Sequence, residues 1–219
     1  MKKCYQAVIF DLDGVICHTD RFHYQAWKQM ADEEGIYFDE TINNRLRGVS
    51  RMASLEIILE RAARSYSQAE KAAMAERKNN IYRQLLLTMR PADLSEEVSD
   101  TLRKLKEAGV RIAIGSSSKN AGTILQQLGL PDAFDAISDG NNITHSKPDP
   151  EVFLKAAQML GMPPEVCLVV EDANAGIEAA AAGGFCSAGI GEAAENPAAT
   201  HAIRTISDLI DIVLDGQCR

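Results

Sequence analysis

Two aspartates one residue apart, Asp11 and Asp13, follow a short apolar run and precede Gly14. A second acidic pair, Glu171-Asp172, follows another apolar run late in the chain. Between the pairs lie Ser116-Ser117-Ser118-Lys119 and Ser146-Lys147-Pro148. Four carboxylates converging without compensation repel one another, so a divalent cation is the physical expectation. An all-oxygen donor set favours Mg2+. Such a cation, the Ser116 hydroxyl and the Lys147 ammonium would form a cradle for a phosphoryl group and spread the charge of its transfer. One carboxylate can attack phosphorus to give an aspartyl-phosphate, which divides one transfer into two. A second carboxylate two residues on can give or take the proton of a substrate hydroxyl.

Chemistry of this kind needs elements that bring distant segments to one edge. The runs Ala7 to Phe10, Val110 to Ile114, Cys167 to Val170 and, more weakly, Cys186 to Ile190 have the continuous apolar character of strands buried on both faces. Helical patterns alternate with them, at Glu96 to Ala108, Ala121 to Leu128, Glu151 to Leu160 and Ala175 to Ala182, each followed at once by Gly. Strands alternating with helices imply βαβ units, hence an α/β fold with a Rossmann-like, doubly wound parallel sheet. Ligands of such sheets bind outside the carboxyl ends of the strands, where these motif residues fall.

The stretch Thr19 to Met89 reads differently, with helical spacing and no strand. Tyr24, Trp27, Met30 and Ala31 keep the i, i+3, i+4 pattern, as do Leu55, Ile58, Leu59 and Ala62, and Ser67 to Met89 is a longer helix rich in Ala, Glu, Lys and Gln. The expected organisation is a sheet domain formed by residues 1–15 and 91–219, with a helical cap inserted over residues 16–90.

The whole composition sets limits. The chain has 219 residues, 46% hydrophobic and 25% charged, and a net charge of −8. It is long enough to bury a core without disulfide staples. An acidic balance argues against a nucleic-acid or anionic-membrane partner, which would want a basic face. The five cysteines, Cys4, Cys17, Cys167, Cys186 and Cys218, are scattered with no CxxC pair. That suits a reducing compartment. The apolar run after Met1-Lys2-Lys3 ends at Asp11, too short for a signal peptide or a membrane span. A cytoplasmic protein, monomeric by default, is expected.

At these residues a resemblance can be stated. Phe10-Asp11-Leu12-Asp13-Gly14-Val15, Ser116, Lys147 and Glu171-Asp172 resemble, in order and approximate spacing, the four motifs of the haloacid dehalogenase-like phosphotransferases. The inserted helices resemble that family's helical cap. More narrowly, His23-x-x-x-Trp27, Gly48-Val49-Ser50-Arg51-x-x-Ser54, Arg77-Lys78-Asn79 and Ser116-x-Ser118-Lys119-Asn120 are similar to the family's β-phosphoglucomutase branch. That branch interconverts β-glucose 1-phosphate and glucose 6-phosphate through a bisphosphate. The resemblance implies Asp11 as nucleophile and Asp13 as general acid and base. It implies Mg2+ on Asp11, Asp13 (through its carbonyl), Glu171 and Asp172. It places the transferring phosphate on Ser116, the Ser117 amide and Lys147, and the other phosphate on Arg51, Ser118, Lys119 and Asn120. His23, Trp27 and Lys78 would couple cap closure to sugar binding, and Gly48, Val49, Ser50 and Ser54 complete the substrate residues.

A mutase needs two phosphate grips, because its bisphosphate must rebind with the ends exchanged, whereas a phosphatase needs one. Arg51 with Lys119 and Asn120 supplies donors for a second grip. A sugar-phosphate phosphatase shares every core motif and is the alternative reading; a non-catalytic phosphosugar-binding protein is another. Ordinary roles also stand beside each assignment. Asp11, Asp13, Ser116 and Glu171-Asp172 can serve as turn or cap residues. Trp27 and His23 can pack on one helical face, and Lys78 can lie on a solvated one. One residue departs from the family pattern: His18 stands before Thr19 where an Asp is usual. Cap closure is therefore expected to depend on pH.

Overall fold

Strand β1 (Ala7–Phe10) is buried along its whole length. It pairs in parallel on one side with β2 (Arg111–Gly115), Ala7 opposite Arg111, and on the other with β4 (Cys167–Glu171), Ala7 opposite Cys167. The alternation of side chains explains why a strand of four apolar residues suits the centre. Ala7 and Ile9 face one layer and Val8 and Phe10 the other, and all four have zero exposure. β3 (Ala136–Ser138), β5 (Cys186–Gly189) and β6 (His201–Ala202) complete a six-stranded, all-parallel sheet in the order β3-β2-β1-β4-β5-β6. This is the expected Rossmann-like α/β sheet. The computed structural model describes residues 5–46 and 50–214; Gly48 and Val49, expected among the substrate residues, and Cys4 and Cys218 lie outside the described residues.

Helices cover both faces. Ala7, Ile9, Ala113, Cys167 and Val169 form one core layer with Val152 and Phe153 of α7 (Glu151–Leu160) and Ala179 and Ala180 of α8 (Asn174–Ala182). α5 (Glu96–Glu107) packs on β2 and on α9 (Leu209–Leu214). Gly109, Gly129 and Gly161 stop the helices before them in the left-handed region, at φ +74°, +75° and +68°. α8 ends at Ala182 with Gly183 as its cap, as expected. Gly183 keeps a right-handed helical backbone as the cap residue, and Gly184 makes the left-handed turn at φ +76°.

The chain divides into two compact units, Met1–His18 with Arg90–Arg219, and Thr19–Met89. His18 and Arg90, assigned to the cap by sequence, fall in the sheet unit, as do Ile16 and Cys17. Both are buried, and the Ile16 and Cys17 N–H groups donate to the Leu12 carbonyl at 3.0 and 3.1 Å. The second unit contains α1 (Asp20–Glu33), α2 (Glu40–Asn44), α3 (Arg51–Leu59) and α4 (Gln68–Leu86). The short α2 escaped the periodicity reading; Asp39 caps it, accepting the Ile42 N–H at 2.9 Å. Ser67 and Glu70 form a capping box on α4. The unit has its own core, built on Trp27, Met30, Leu55, Ile58 and Met74. Among the described residues no helix is long and apolar enough to cross a membrane.

Ile9, at zero exposure in the central strand, tests how far the sheet depends on this layer. Ile9→Ala is expected to lower unfolding stability by about 2–5 kcal/mol. In urea titration this reads as a lower midpoint with an unchanged slope.

Candidate active site

The sheet reverses direction at β1: the chain winds outward through β2 and β3 on one side and through β4, β5 and β6 on the other. At such a switch point the loops leaving adjacent strands part and open a crevice at the carboxyl ends. Asp11 is the first residue beyond β1, and its N–H still donates to the Val170 carbonyl of β4 at 2.9 Å. The strand ladder therefore fixes the base of its side chain. The chain then turns tightly. Gly14 adopts φ +88° and donates to the Cys17 carbonyl at 2.6 Å. A side chain at Gly14 would strike the Asp172 carboxylate, since an added Cβ would lie 2.0 Å from its Oδ2. Gly176 in α8 makes the same allowance for Glu171, whose Oε1 lies 2.0 Å from where a Cβ would stand. Glycine at both positions is what lets the acidic groups come so close.

Asp11, Glu171 and Asp172 each present a carboxylate oxygen, all within 4.8 Å of one another. The Lys147 ammonium donates to both Asp11 Oδ1 and Glu171 Oε1. Glu171 Oε2 accepts the Ala173 N–H at 3.0 Å. These groups are nearly dry: side-chain exposure is 10% for Lys147, 11% for Asp11 and 1% for Glu171. Burial pushes the Asp11 carboxyl upward and Lys147 pulls it back, while Glu171 and Asp13 add to the rise. For Lys147, burial favours the neutral amine, but the two carboxylates outweigh it and hold the ammonium above its ordinary range. Three carboxylates against one ammonium leave an excess of negative charge in a dry site. The donor set of hard oxygens fits a divalent cation of the Mg2+ kind.

Asp13 is half-buried and joins the electrostatics as a negative neighbour of both Asp11 and Cys17. Burial, with these two aspartates, pushes the Cys17 thiol up.

The serine loop after β2 is folded by its own hydroxyls. Ser116 Oγ accepts the Ser118 N–H at 3.2 Å, and Ser118 Oγ accepts the Asn120 N–H at 3.2 Å. Ser116 itself is buried, and its N–H donates to the Ser138 carbonyl at 3.0 Å. Ser117 Oγ is buried with no hydrogen-bond partner. Lys119 is exposed, and Asn120 stands at the N-cap of α6 (Ala121–Gln127) without capping it through its side chain. The structure thus brings Asp11, Glu171, Asp172 and Lys147 into direct contact range. Ser116 to Asn120 follow the neighbouring strand end.

The helical unit holds a separate polar cluster. Lys78 is buried, and its ammonium lies 3.0 Å from His23 Nδ1 and 4.8 Å from the ring centres of both Trp27 and Tyr82. The His23 and Tyr82 rings lie 4.1 Å apart, tilted by 32°, and Tyr82 donates its hydroxyl hydrogen to Thr19 Oγ1 at 3.1 Å. Burial first, and then the Lys78 and Arg51 charges, lower the His23 imidazole to about 3. A neutral ring whose Nδ1 accepts from the ammonium is the consistent state. Tyr82 was missed by sequence reasoning; its signal is the i, i+4 spacing from Lys78 on one face of α4. Ser54 is buried in α3, Ser50 is exposed and caps that helix through the Ala53 N–H at 3.3 Å, and Arg51 begins it, 3.9 Å from Glu76. His18 is exposed, at the end of the first segment of the sheet unit.

Comparison with known proteins supplies the context. A family model described as haloacid dehalogenase-like hydrolase matches residues 5–184. The chain is 42% identical over 206 residues to a β-phosphoglucomutase of Bacillus subtilis, covering 93% of this chain and 91% of the relative. It is 32% identical to a fructose-1-phosphate phosphatase of Escherichia coli, covering 84% and 96%. Among solved structures, a β-phosphoglucomutase from Clostridium difficile superposes with a TM-score of 0.82 at 39% identity, covering 94% of this chain and 93% of that one.

Two outcomes follow from this geometry. Gly14→Ala combines a strained backbone with a Cβ on the Asp172 carboxylate, so it is expected to weaken Mg2+ binding at least about tenfold, read by titration calorimetry. His23, lowered from 6.5 to about 3, stabilises the fold fully above pH 6.5, and that stability is lost as pH falls from there toward about 3. Its ring proton shifts, followed by NMR, should show no titration near neutrality.

Proposed function

The chain belongs to the haloacid dehalogenase-like hydrolase family, and on that premise we propose that it is a phosphotransferase interconverting β-glucose 1-phosphate and glucose 6-phosphate. The transfer runs through an aspartyl-phosphate and a glucose 1,6-bisphosphate. The observation that carries phosphoryl transfer is the Asp11 carboxylate held against Lys147 beside Glu171 at the switch point of the sheet. What favours a mutase over a hydrolase is the greater likeness to a β-phosphoglucomutase, 42% identity against 32% for the phosphatase. The presence in the sequence of Arg51, Ser118, Lys119 and Asn120, the residues that the resemblance assigns to a second phosphate, supports the same reading.

In this mechanism Asp11 attacks the phosphorus of the bisphosphate. A phosphorus–oxygen bond forms to its carboxylate while the bond to the sugar oxygen breaks, and Asp13 gives that oxygen its proton. A hydroxyl of the next sugar phosphate then attacks the phosphorus of the aspartyl-phosphate, Asp13 takes the hydroxyl proton, and Asp11 is freed. Lys147, Ser116 and the Ser117 N–H hold the phosphoryl oxygens and favour the charge that builds on them. Asp11, Glu171, Asp172 and the Asp13 carbonyl would hold Mg2+, which supplies positive charge against both the carboxylates and the phosphate. We assign the non-reacting phosphate to Arg51, Ser118, Lys119 and Asn120, and the sugar to His23, Trp27 and Lys78, with Ser50 and Ser54 beside them. Gly48 and Val49 keep the substrate role that the resemblance gave them. The reading further takes the protein to be a cytoplasmic monomer, in keeping with the free thiols of Cys17, Cys167 and Cys186.

The decisive measurement supplies β-glucose 1-phosphate, Mg2+ and a trace of glucose 1,6-bisphosphate, and follows glucose 6-phosphate and free phosphate together. Glucose 6-phosphate is expected to dominate, with the α-anomer unreactive; free phosphate as the main product would establish the phosphatase reading instead. Asp11→Asn should form no phosphoenzyme, and Asp13→Asn should slow turnover by about 10²- to 10⁴-fold.

A further inference from the structure

Lys147 reaches the carboxylates from an irregular segment, residues 139–150, between β3 and α7. A long side chain leaving such a segment is only as well placed as the segment itself. The segment is tied to the first residue of α7. Glu151 Oε2 accepts the N–H groups of Thr144 at 2.9 Å and His145 at 2.7 Å, and lies 3.2 Å from His145 Nδ1. Glu151 Oε1 pairs with Lys155 Nζ at 2.7 Å, and the same ammonium donates to the Asn142 carbonyl. Lys155 and these backbone donors hold the Glu151 carboxyl down to about 2, so it is ionised throughout the working range. Asp149 extends the tie. Its Oδ1 accepts the Glu151 N–H at 2.9 Å, and its own N–H donates to the Ser146 carbonyl at 3.1 Å.

Lys147 sits between these anchor points. Two residues into α7, the Phe153 ring centre lies 4.7 Å from Lys147 Nζ, and the ring fills the space above Gly115, which has no side chain to obstruct it. His145, Asp149 and Glu151 could be mistaken for a metal cluster, since their ligand atoms lie within 4.8 Å of one another. The Glu151 oxygens are already engaged by N–H donors and an ammonium, which is the pattern of a tether.

We propose that Glu151 is a positioning residue for Lys147: its carboxylate fixes the segment whose lysine neutralises Asp11, Glu171 and the phosphoryl oxygens. Only the kinetic part of the test rests on the function proposed above. Lys147, exposed Lys104 and the buried thiol of Cys167 are followed by mass spectrometry during brief acetylation and maleimide treatment of the Mg2+-loaded protein, wild type and Glu151→Ala. Acetylation of Lys147 relative to Lys104 is expected to rise about tenfold or more, with Cys167 as protected as in wild type. On β-glucose 1-phosphate, kcat should fall about ten- to a hundredfold, with Glu151→Gln, which keeps a carbonyl acceptor, between the two. Unchanged Lys147 labelling would overturn the proposal. So would a joint rise at Lys147 and Cys167, the mark of general loosening. Selective labelling in a protein that leaves β-glucose 1-phosphate untouched would refute the mutase reading and leave the tether standing.

Discussion

One buried ammonium governs the sheet unit. Three carboxylates at the ends of β1 and β4 lie within a few ångströms of each other with little water to screen them, and Lys147 is the cation that contacts two of them. A buried charge cluster of this kind is costly unless each group is compensated. Much of the local architecture follows from keeping it compensated. Gly14 and Gly176 yield space to Asp172 and Glu171, and the Ala173 N–H engages the second Glu171 oxygen. The segment carrying Lys147 is tied to α7 through Glu151. The residual negative charge is the site's capacity to take a divalent cation and, with it, an anionic substrate, despite a net charge of −8 on the whole chain.

The helical unit handles its buried cation by different means. Lys78 is met by two aromatic faces and a neutral imidazole. Ring quadrupoles and a nitrogen lone pair stabilise an ammonium without adding a formal negative charge. Lys147 and Lys78 thus differ in the neighbours that meet them: carboxylates in one unit, rings and an imidazole in the other.

Much of this was legible in the sequence where the signal is continuous. The apolar runs of β1, β2 and β4 and the residues that follow them gave the sheet, its carboxyl edge and the acidic cluster. β3 and β6 were not legible, because Ala136–Ser138 and His201–Ala202 are too short to carry a period and are strands only by pairing with β2 and β5. Glu151 was hidden for a similar reason. Its partners are backbone N–H groups, which every residue but proline possesses, so no pattern of side chains announces them. His23, Trp27 and Lys78 were singled out by resemblance, whereas the contact of the Tyr82 ring with His23 needed coordinates.

The placement of β1 also bears on how the molecule is made. The central strand is synthesised before its neighbours: β2 emerges only after all of Thr19–Met89, and β4 later still. The helical unit is contiguous, has its own core and can consolidate on the ribosome from local contacts. β1 meanwhile is an apolar strand with both edges unpaired, the kind of segment that recruits the wrong partner. Its brevity and the aspartates that end it limit that hazard. Asp11 and Asp13, at the carboxyl edge of the sheet, therefore also suit the part of gatekeepers for β1 in the nascent chain.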